Sequence, residues 1–239
     1  MRIRNLTLSV GLASLVLAAP ASAHDGHHNH HGNAEPAAAS SEHSSSGATH
    51  GGHHDHQHHA APTTASVRAP QEADINLHDI TLRDQTGAPV RFRSDVVGDR
   101  IVVIDFIYTS CTTVCPVVSA VFSELQEMLG DRLGRDVLLL SLSIDPVTDT
   151  PARLHEYATR FESKPGWIWL TGEKDDMERV LRGLGAYTPN FTQHPQQVLV
   201  GNGRRGTWTR FYGTPDPARV LARVDELAAG NQAASAQEH

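Results

Sequence analysis

Residues 101–125, IVVIDFIYTSCTTVCPVVSAVFSEL, decide how this sequence folds. The run IVVIDFIY is continuously apolar and rich in β-branched residues, which is typical of a strand buried on both faces of a parallel sheet. The run VVSAVFSELQEMLG has the apolar spacing of an amphipathic helix and ends in Gly130. Cys111 and Cys115, the only cysteines in the chain, lie between these two elements. The stretch therefore predicts a buried strand, a turn that carries both thiols, and a helix.

The remaining elements predict an α/β fold. Strands are expected at VLLLSLSI and WIWL, and helices over TDTPARLHEYATRF, KDDMERVLRGLG and PARVLARVDELAA. The strands QQVLVGN and TWTRFYG, joined by GNGRRG, should form an antiparallel hairpin, and INLHDITLRD and VRF a second one. Buried strands that alternate with helices favour parallel pairing. This order predicts a thioredoxin-like fold: a central mixed β-sheet flanked by helices, with an N-terminal β-hairpin extension.

The first 23 residues have the pattern of a secretory signal peptide. Arg2 and Arg4 precede the apolar run LTLSVGLASLVLAAP, and the small-residue sequence ASA ends at Ala23. Cleavage after Ala23 would place the chain in the periplasm or outside the cell, without membrane insertion. A retained signal would anchor it to the membrane instead.

The segment 24–72 is predicted to be disordered and rich in histidine. It contains no aromatic residue and too few aliphatic ones to offset the entropy of ordering. Twelve of the sixteen histidines lie in this segment, mostly in the clusters HDGHHNHH and HGGHHDHQHH. Imidazole is the commonest metal ligand, so weak metal binding is expected here. The folded domain is predicted at 73–229, followed by a flexible tail at 230–239.

The charge of the chain excludes some partners. The formal net charge is −7, and removal of a signal peptide with two arginines makes it −9. An acidic balance of this kind argues against nucleic acid or an anionic membrane surface as a partner.

The two cysteines are predicted to serve chemistry and not stability. A domain of roughly 170 residues needs no disulfide to remain folded. At the start of a helix, free backbone amides and the helix dipole favour the thiolate, which is both a nucleophile and a ligand for soft metals. The spacing C-x-x-x-C permits a redox disulfide and also leaves room for a metal between the sulfurs. The cysteines alone leave both interpretations open.

A histidine could complete a metal site with the two thiolates. Two sulfurs and one imidazole suit copper, particularly Cu(I). The histidines of the predicted domain are His78, His155 and His194. His78 is predicted on a strand and His155 in the middle of a helix. His194 lies in the loop YTPNFTQHP, which should face the cysteine turn in a thioredoxin-like fold, so it is the predicted third ligand.

Four pieces of sequence, in order, resemble a known family. They are DFIYTSCTTVCP, SLSIDPVTDTPARLHEYATRF, WIWLTGE and FTQHPQQVLVGNGRRGTWTRFYG. From about Leu77 to Gly213 the chain resembles the Sco/SenC family of copper chaperones for cytochrome c oxidase assembly. The resemblance implies one copper ion per folded domain, as Cu(I) or Cu(II), held by Cys111, Cys115 and His194. It also implies that copper, or reducing equivalents, pass to the dinuclear copper centre of an oxidase subunit.

Two positions depart from the family pattern. Gln193 stands where the family usually has an acidic residue before the histidine, so a carboxylate that could orient the imidazole is missing. Pro195 follows the histidine, where the family often has a small polar residue.

Two functions follow as expectations. The first is a copper-binding metallochaperone that needs no catalytic turnover and delivers copper to a copper-accepting oxidase subunit or another periplasmic copper protein. The alternative is a thiol-disulfide oxidoreductase that reduces the cysteines of the copper acceptor. In that reaction Cys111 is expected to be the more exposed, attacking thiol and Cys115 the resolving one. A peroxidase is disfavoured because no activating arginine with a nearby Thr or Ser pocket is apparent at Cys111.

Overall fold

The computed structural model describes residues 68–237, and these contain eight strands and four α-helices. In chain order they are β1 Gln71–Glu72, β2 Thr81–Asp84, β3 Pro89–Arg91, β4 Ile101–Ile107, α1 Val114–Leu129, β5 Val137–Ser143, α2 Pro151–Thr159, β6 Trp167–Thr171, α3 Lys174–Gly183, β7 Gln197–Asn202, β8 Thr207–Tyr212 and α4 Pro217–Gln237. Short helical turns occupy Phe92–Val97, Gly130–Arg132 and Phe191–Gln193. The predicted signal peptide and the histidine clusters lie outside the described residues.

All eight of these strands belong to one mixed sheet, in the order β1-β8-β7-β4-β5-β6-β2-β3. β4, β5 and β6 are parallel. β7 and β8 pair antiparallel with each other, and β7 pairs antiparallel with β4. β2 and β3 form the expected N-terminal hairpin at the other edge. The thioredoxin-like α/β fold predicted from the order of elements is therefore confirmed.

β4 is buried at all seven positions because helices cover both faces of the sheet. Val103 and Ile107 pack in the core that contains residues of α1, α2 and α4. Ile104 and Phe106 pack in the opposite core, with residues of α3 and the turn Phe92–Val97. Side chains that alternate in this way along a strand explain why IVVIDFIY is apolar throughout. The strand fixes the position of the turn that follows it.

The N-terminal boundary differs from the prediction. Gln71 and Glu72 lie in the segment predicted to be disordered, yet they pair with β8. The amide of Ala73 then donates to the carbonyl of Trp208 (3.0 Å). An exposed sheet edge can order a short polar segment through its free backbone groups, whatever the side chains are. The folded region therefore begins before Ala73.

Two other elements differ in length. The predicted strand INLHDITLRD is a strand only over Thr81–Asp84. Its first half runs beside α3, where the Asn76 amide donates to the carbonyl of Gly183 (2.9 Å). At the other end, the tail predicted to be flexible is helical as far as Gln237. Asn202 of β7 contacts this extension by donating to the Asn231 side chain (2.6 Å).

Within residues 68–237, no helix combines the length and the apolar character needed to cross a bilayer.

Candidate metal centre

The two cysteines lie at the junction of β4 and α1, as the sequence predicts. Cys111 belongs to the turn, and its amide donates to the carbonyl of Tyr108 (3.1 Å). Cys115 is the second residue of α1. Its amide donates to the sulfur of Cys111 (3.4 Å), so the unpaired amides of the first helical turn point at a sulfur. Both side chains are free thiols, and both are buried.

The two thiols differ in acidity. Burial alone would raise the pKa of Cys111, but hydrogen bonds from the Cys115 thiol and amide, the Thr113 amide and the Tyr108 hydroxyl outweigh it and lower the pKa to about 6. Burial and the neighbouring Cys111 sulfur raise the pKa of Cys115. At neutral pH the pair therefore carries one thiolate, on Cys111, and one thiol, on Cys115.

Exposure does not distinguish the cysteines. Cys111 is 5% exposed and Cys115 is 4% exposed, so surface exposure does not separate the two thiols, although Cys115 lies deeper among protein atoms. Both sulfurs lie beneath the surface because Cys115 faces the core on α1 and the turn folds over it. Acidity, and not accessibility, makes Cys111 the stronger nucleophile.

Tyr108 connects the cysteine turn to the histidine loop. Its hydroxyl hydrogen-bonds the Cys111 sulfur, and this contact together with burial raises the pKa of Tyr108 to about 12. Its ring meets Phe191 edge-on, with the ring centroids 5.1 Å apart. Phe191 begins the short turn that leads to His194. One side chain thus contacts both parts of the site.

His194 lies beside the cysteine turn, against β4. Its ring centroid is 5.7 Å from that of Phe106, and its Nε2 is buried without a hydrogen-bond partner. Burial lowers the pKa of His194 to about 4, so the imidazole is neutral at pH 7 and able to bind a metal. Gln193, in place of the family's acidic residue, is exposed.

The three predicted ligands are not assembled into a metal site. In the described part of the chain, no three His, Cys, Asp or Glu side chains lie close enough together to hold a metal ion. The structure brings Cys111 and Cys115 together and places His194 on the adjacent loop. His155 is exposed on α2, and the His78 ring lies beside Gly183 of α3. A three-coordinate site would therefore require the histidine loop to move toward the sulfurs.

The histidine loop is held by local interactions. The Asn190 side chain accepts hydrogen bonds from the amide (3.1 Å) and the hydroxyl (2.8 Å) of Thr192. The His194 amide donates to the carbonyl of Phe191 (3.1 Å). Beyond these bonds, the loop contacts its surroundings through the rings of Phe191 and His194 and through Tyr187, over whose ring the Arg182 guanidinium of α3 lies (3.5 Å). Such a loop can shift as a unit without breaking the sheet.

Two buried carboxylates support the cysteine turn, and the sequence analysis did not assign them to the site. Asp149 accepts hydrogen bonds from the Thr109 amide (3.0 Å), the Thr109 hydroxyl (2.6 Å) and the Ser143 hydroxyl (2.7 Å). It thereby joins the cysteine turn to the β5–α2 loop. Thr150, the residue after Asp149, caps α2 by accepting from the Arg153 amide, so Asp149 is left to hold the turn.

Asp105 is the second carboxylate, and its burial outweighs the compensation that it receives. It lies fully buried in β4 without a hydrogen bond of normal geometry, and the nearby Ser141 hydroxyl lowers its pKa less than burial raises it. Ser141, opposite on β5, also accepts from the Trp167 indole (2.9 Å). Burial raises the pKa of Asp105 to about 7, and its charge contributes to the raised pKa of Cys115. A single acid inside IVVIDFIY is the sequence signal that could have identified it.

The fold and the site define a thioredoxin-like protein with an asymmetric thiol pair in its first βα turn. The SCO1/SenC family profile matches residues 68–229, which is more than half of the chain. The chain therefore belongs to the SCO1/SenC family.

Known proteins support this assignment. Over 93 residues the chain is 34% identical to the SCO1 protein homolog of Bacillus subtilis (strain 168), a match that covers 38% of this chain and 47% of that protein. The chain thus spans about half the length of the relatives that it matches. The structure of Bradyrhizobium japonicum ScoI with copper bound is 26% identical, with a TM-score of 0.51, and covers 62% of this chain and 96% of that one. The structure of a SCO1/SenC family lipoprotein from Bacillus anthracis str. Ames supports the fold. It is 23% identical with a TM-score of 0.56, and the match covers 66% of this chain and 98% of that one.

Proposed function

We propose that this protein is a copper metallochaperone that carries one copper ion on Cys111, Cys115 and His194. The observation that carries the proposal is the juxtaposition of one thiolate, one thiol and one neutral imidazole at the same end of the sheet. The buried Nε2 of His194 has no other partner, so a metal would give it one. Copper is the cargo here, and the protein supplies its ligands.

The ligand set favours Cu(I). Two sulfurs and one imidazole are soft donors, and the burial of both sulfurs disfavours the harder, water-ligated ions. Binding would release the remaining proton of Cys115, because the thiolate is the form that coordinates. The raised pKa of Cys115 makes that step costly, which suits a carrier that must also release its cargo.

The acceptor we propose is the dinuclear copper centre of cytochrome c oxidase, reached in the periplasm. This follows from the family to which the chain belongs and from the signal-like first 23 residues. The copper-bound structure of Bradyrhizobium japonicum ScoI supports copper as the cargo. Another periplasmic copper protein with thiol ligands would suit the same site.

The acidity difference between the cysteines favours thiol-disulfide exchange as a second candidate. The Cys111 thiolate would attack a disulfide of the acceptor and form a mixed disulfide, with one acceptor sulfur leaving as thiolate. Cys115 would then lose its proton and attack the Cys111 sulfur, which releases the second acceptor thiolate. Two electrons pass to the acceptor, and this chain ends with a Cys111–Cys115 disulfide.

The histidine-rich segment would collect metal near the site. Its twelve histidines lie within a few tens of residues of the folded region, so weak binding there would raise the local copper concentration. This role is expected to matter for the rate of loading and not for the affinity of the site.

The test is the Cu(I) affinity of His194→Ala, measured by competition with a chromogenic chelator. The twelve histidines between His24 and His59 are replaced by asparagine in every sample, so that they cannot bind copper. We expect a loss of at least roughly tenfold, since one of three ligands is removed. His155→Ala, on exposed α2, is the matched control and should bind as the parent does. Equal affinity in both variants would remove His194 from the ligand set.

A further inference from the structure

The chain segments around the cysteine turn carry no exposed charge of their own, and charges from elsewhere, such as Arg153, which donates to the Thr148 carbonyl (3.5 Å), lie at their edge. A fifth of the residues in the chain are charged, yet none lies in 106–121 or in 184–203. Segment 137–152, which contains the β5–α2 loop, holds only Asp145 and Asp149, and both are buried. We call the exposed parts of 110–117, 146–148 and 187–195 the neutral face.

The neutral face is also apolar. Large hydrophobic side chains are exposed at four positions in the described part of the chain: Val114, Val117, Met128 and Val147, at 44%, 52%, 39% and 74%. Three of the four lie on the neutral face, and Met128 lies near the far end of α1. Exposed apolar side chains that gather in one place mark interaction sites.

The three segments form one surface. Thr109 and Asp149 join the cysteine turn to the β5–α2 loop, and Tyr108 and Phe191 join that turn to the histidine loop. The last two loops also share a cavity of about 250 Å³. Its apolar walls come from Ile144, Pro146, Val147, Met177, Leu181 and Phe191, and it is also lined by Lys174 and Glu178 of α3, which form an ion pair with each other. A cavity of this size accepts one large side chain of a partner.

We propose that the neutral face docks the protein that exchanges copper with this chain, and that this partner presents its metal-binding loop from an uncharged, apolar surface. The inference rests on the proposed function. Because both sulfurs are buried, a partner's ligand must approach them between the three segments, so the partner has to cover the neutral face. Interface cores are depleted of charge in the same way.

This docking mode predicts weak salt dependence. Proteins that steer partners by charge lose association rate steeply as salt rises. A neutral face has no charges to screen. We therefore expect the rate of copper transfer to change less than about twofold up to roughly 1 M sodium chloride, where charges are screened within ~3 Å.

The experiment measures Cu(I) transfer from the full chain to the soluble copper-accepting domain of the same organism's cytochrome c oxidase. Dithiothreitol, a small neutral acceptor, is run in parallel, and the readout is the ratio of the two transfer rates. We expect Val147→Glu and Val117→Glu to lower this ratio about tenfold, because each places a charge inside an apolar contact. Met128→Glu, the exposed apolar residue outside the neutral face, should leave the ratio unchanged.

The outcomes separate the two proposals. Val147→Glu and Val117→Glu could give the same ratio as Met128→Glu. That result would overturn the neutral face as the docking surface and leave the proposed copper transfer intact. A steep fall of the parent rate with salt would overturn it as well. If the parent delivers copper to dithiothreitol but none to the oxidase domain, the proposed acceptor is wrong and the docking proposal falls with it.

Discussion

The cysteine turn and the histidine loop supply the same candidate site but are built in different ways. The cysteine turn continues from a strand that is buried on both faces, and Asp149 bonds it to the neighbouring loop. The histidine loop is closed by bonds among its own residues and meets the turn through aromatic rings. The thiols are therefore held in place by the sheet, whereas the imidazole is held by contacts that can shift.

This difference suits a protein that must both hold and release a metal. The two fixed sulfurs bind copper first, in one constant position. The third ligand has to approach them, so its withdrawal is a step at which copper can leave. The three side chains are not grouped around a common point. Coordination of copper should therefore be coupled to a shift of residues 187–195.

The largest expected effect concerns the fixed half of the site. Cys115→Ser replaces a soft sulfur ligand by a hard oxygen. We expect it to weaken Cu(I) binding by more than roughly 100-fold, the upper range for losing a residue that only orients a metal ligand. His194→Ala should cost less than this. Competition titrations on both variants, with the histidine clusters replaced, give the comparison directly. A greater loss for His194→Ala would reverse the roles assigned to the turn and the loop.

A smaller effect concerns the buried carboxylate beneath the turn. The pKa of Asp105 is about 7 in the folded chain, whereas an unfolded aspartate has a pKa of about 3.9. Between these values the folded state binds the proton more tightly than the unfolded state. Over this interval the unfolded carboxyl ionises while the buried one stays protonated, so raising the pH lowers the free energy of unfolding by up to about 1.4 kcal/mol per pH unit, and the loss levels off above about pH 7.

Asp105→Asn should remove this pH dependence. We expect the variant to gain a few kcal/mol over the parent at about pH 8 and almost nothing at about pH 4. Urea unfolding across that range measures the difference. Asp136→Asn, an exposed partner of Arg135, is the control and should leave the profile nearly unchanged. A gain for Asp105→Asn that is independent of pH would show that folding does not raise the pKa of Asp105.

The smallest effect concerns the contact between the two regions. Tyr108→Phe removes the hydroxyl that bonds the Cys111 sulfur while the ring contact with Phe191 remains. The pKa of Cys111 should rise from about 6 by less than about one unit, because the Cys115 and Thr113 hydrogen bonds are kept. The rate of iodoacetamide alkylation against pH reports this value. Tyr212→Phe, beside Arg68, serves as the control.

The sequence predicted the local features of the site well. The position of the turn could be predicted from short-range pattern alone. The pattern consists of a buried apolar strand, an amphipathic helix and two cysteines between them. His194 was placed on the adjacent loop by the order of elements in a thioredoxin-like fold. The β7–β8 hairpin followed from its short glycine-rich connection.

Features that depend on distant residues were not predictable. β1 consists of two polar residues whose pairing with β8 depends on an edge formed more than a hundred residues later. The extension of α4 past Gly230 depends on a contact with Asn202. The acidity difference between the cysteines arises from burial and from hydrogen bonds of Cys115, Thr113 and Tyr108 to the Cys111 sulfur. The amide bonds follow from the predicted helix start, but burial and Tyr108 have no signature in the spacing C-x-x-x-C.

The most direct test is X-ray absorption at the copper edge of the full chain loaded with one equivalent of Cu(I) under anaerobic conditions. The parent and His194→Ala are compared, both with the twelve histidines between His24 and His59 replaced by asparagine. We expect two sulfur ligands and one nitrogen ligand in the parent. In His194→Ala that nitrogen should be lost and both sulfurs retained. A nitrogen ligand that persists in His194→Ala, or a parent spectrum without sulfur, would contradict it.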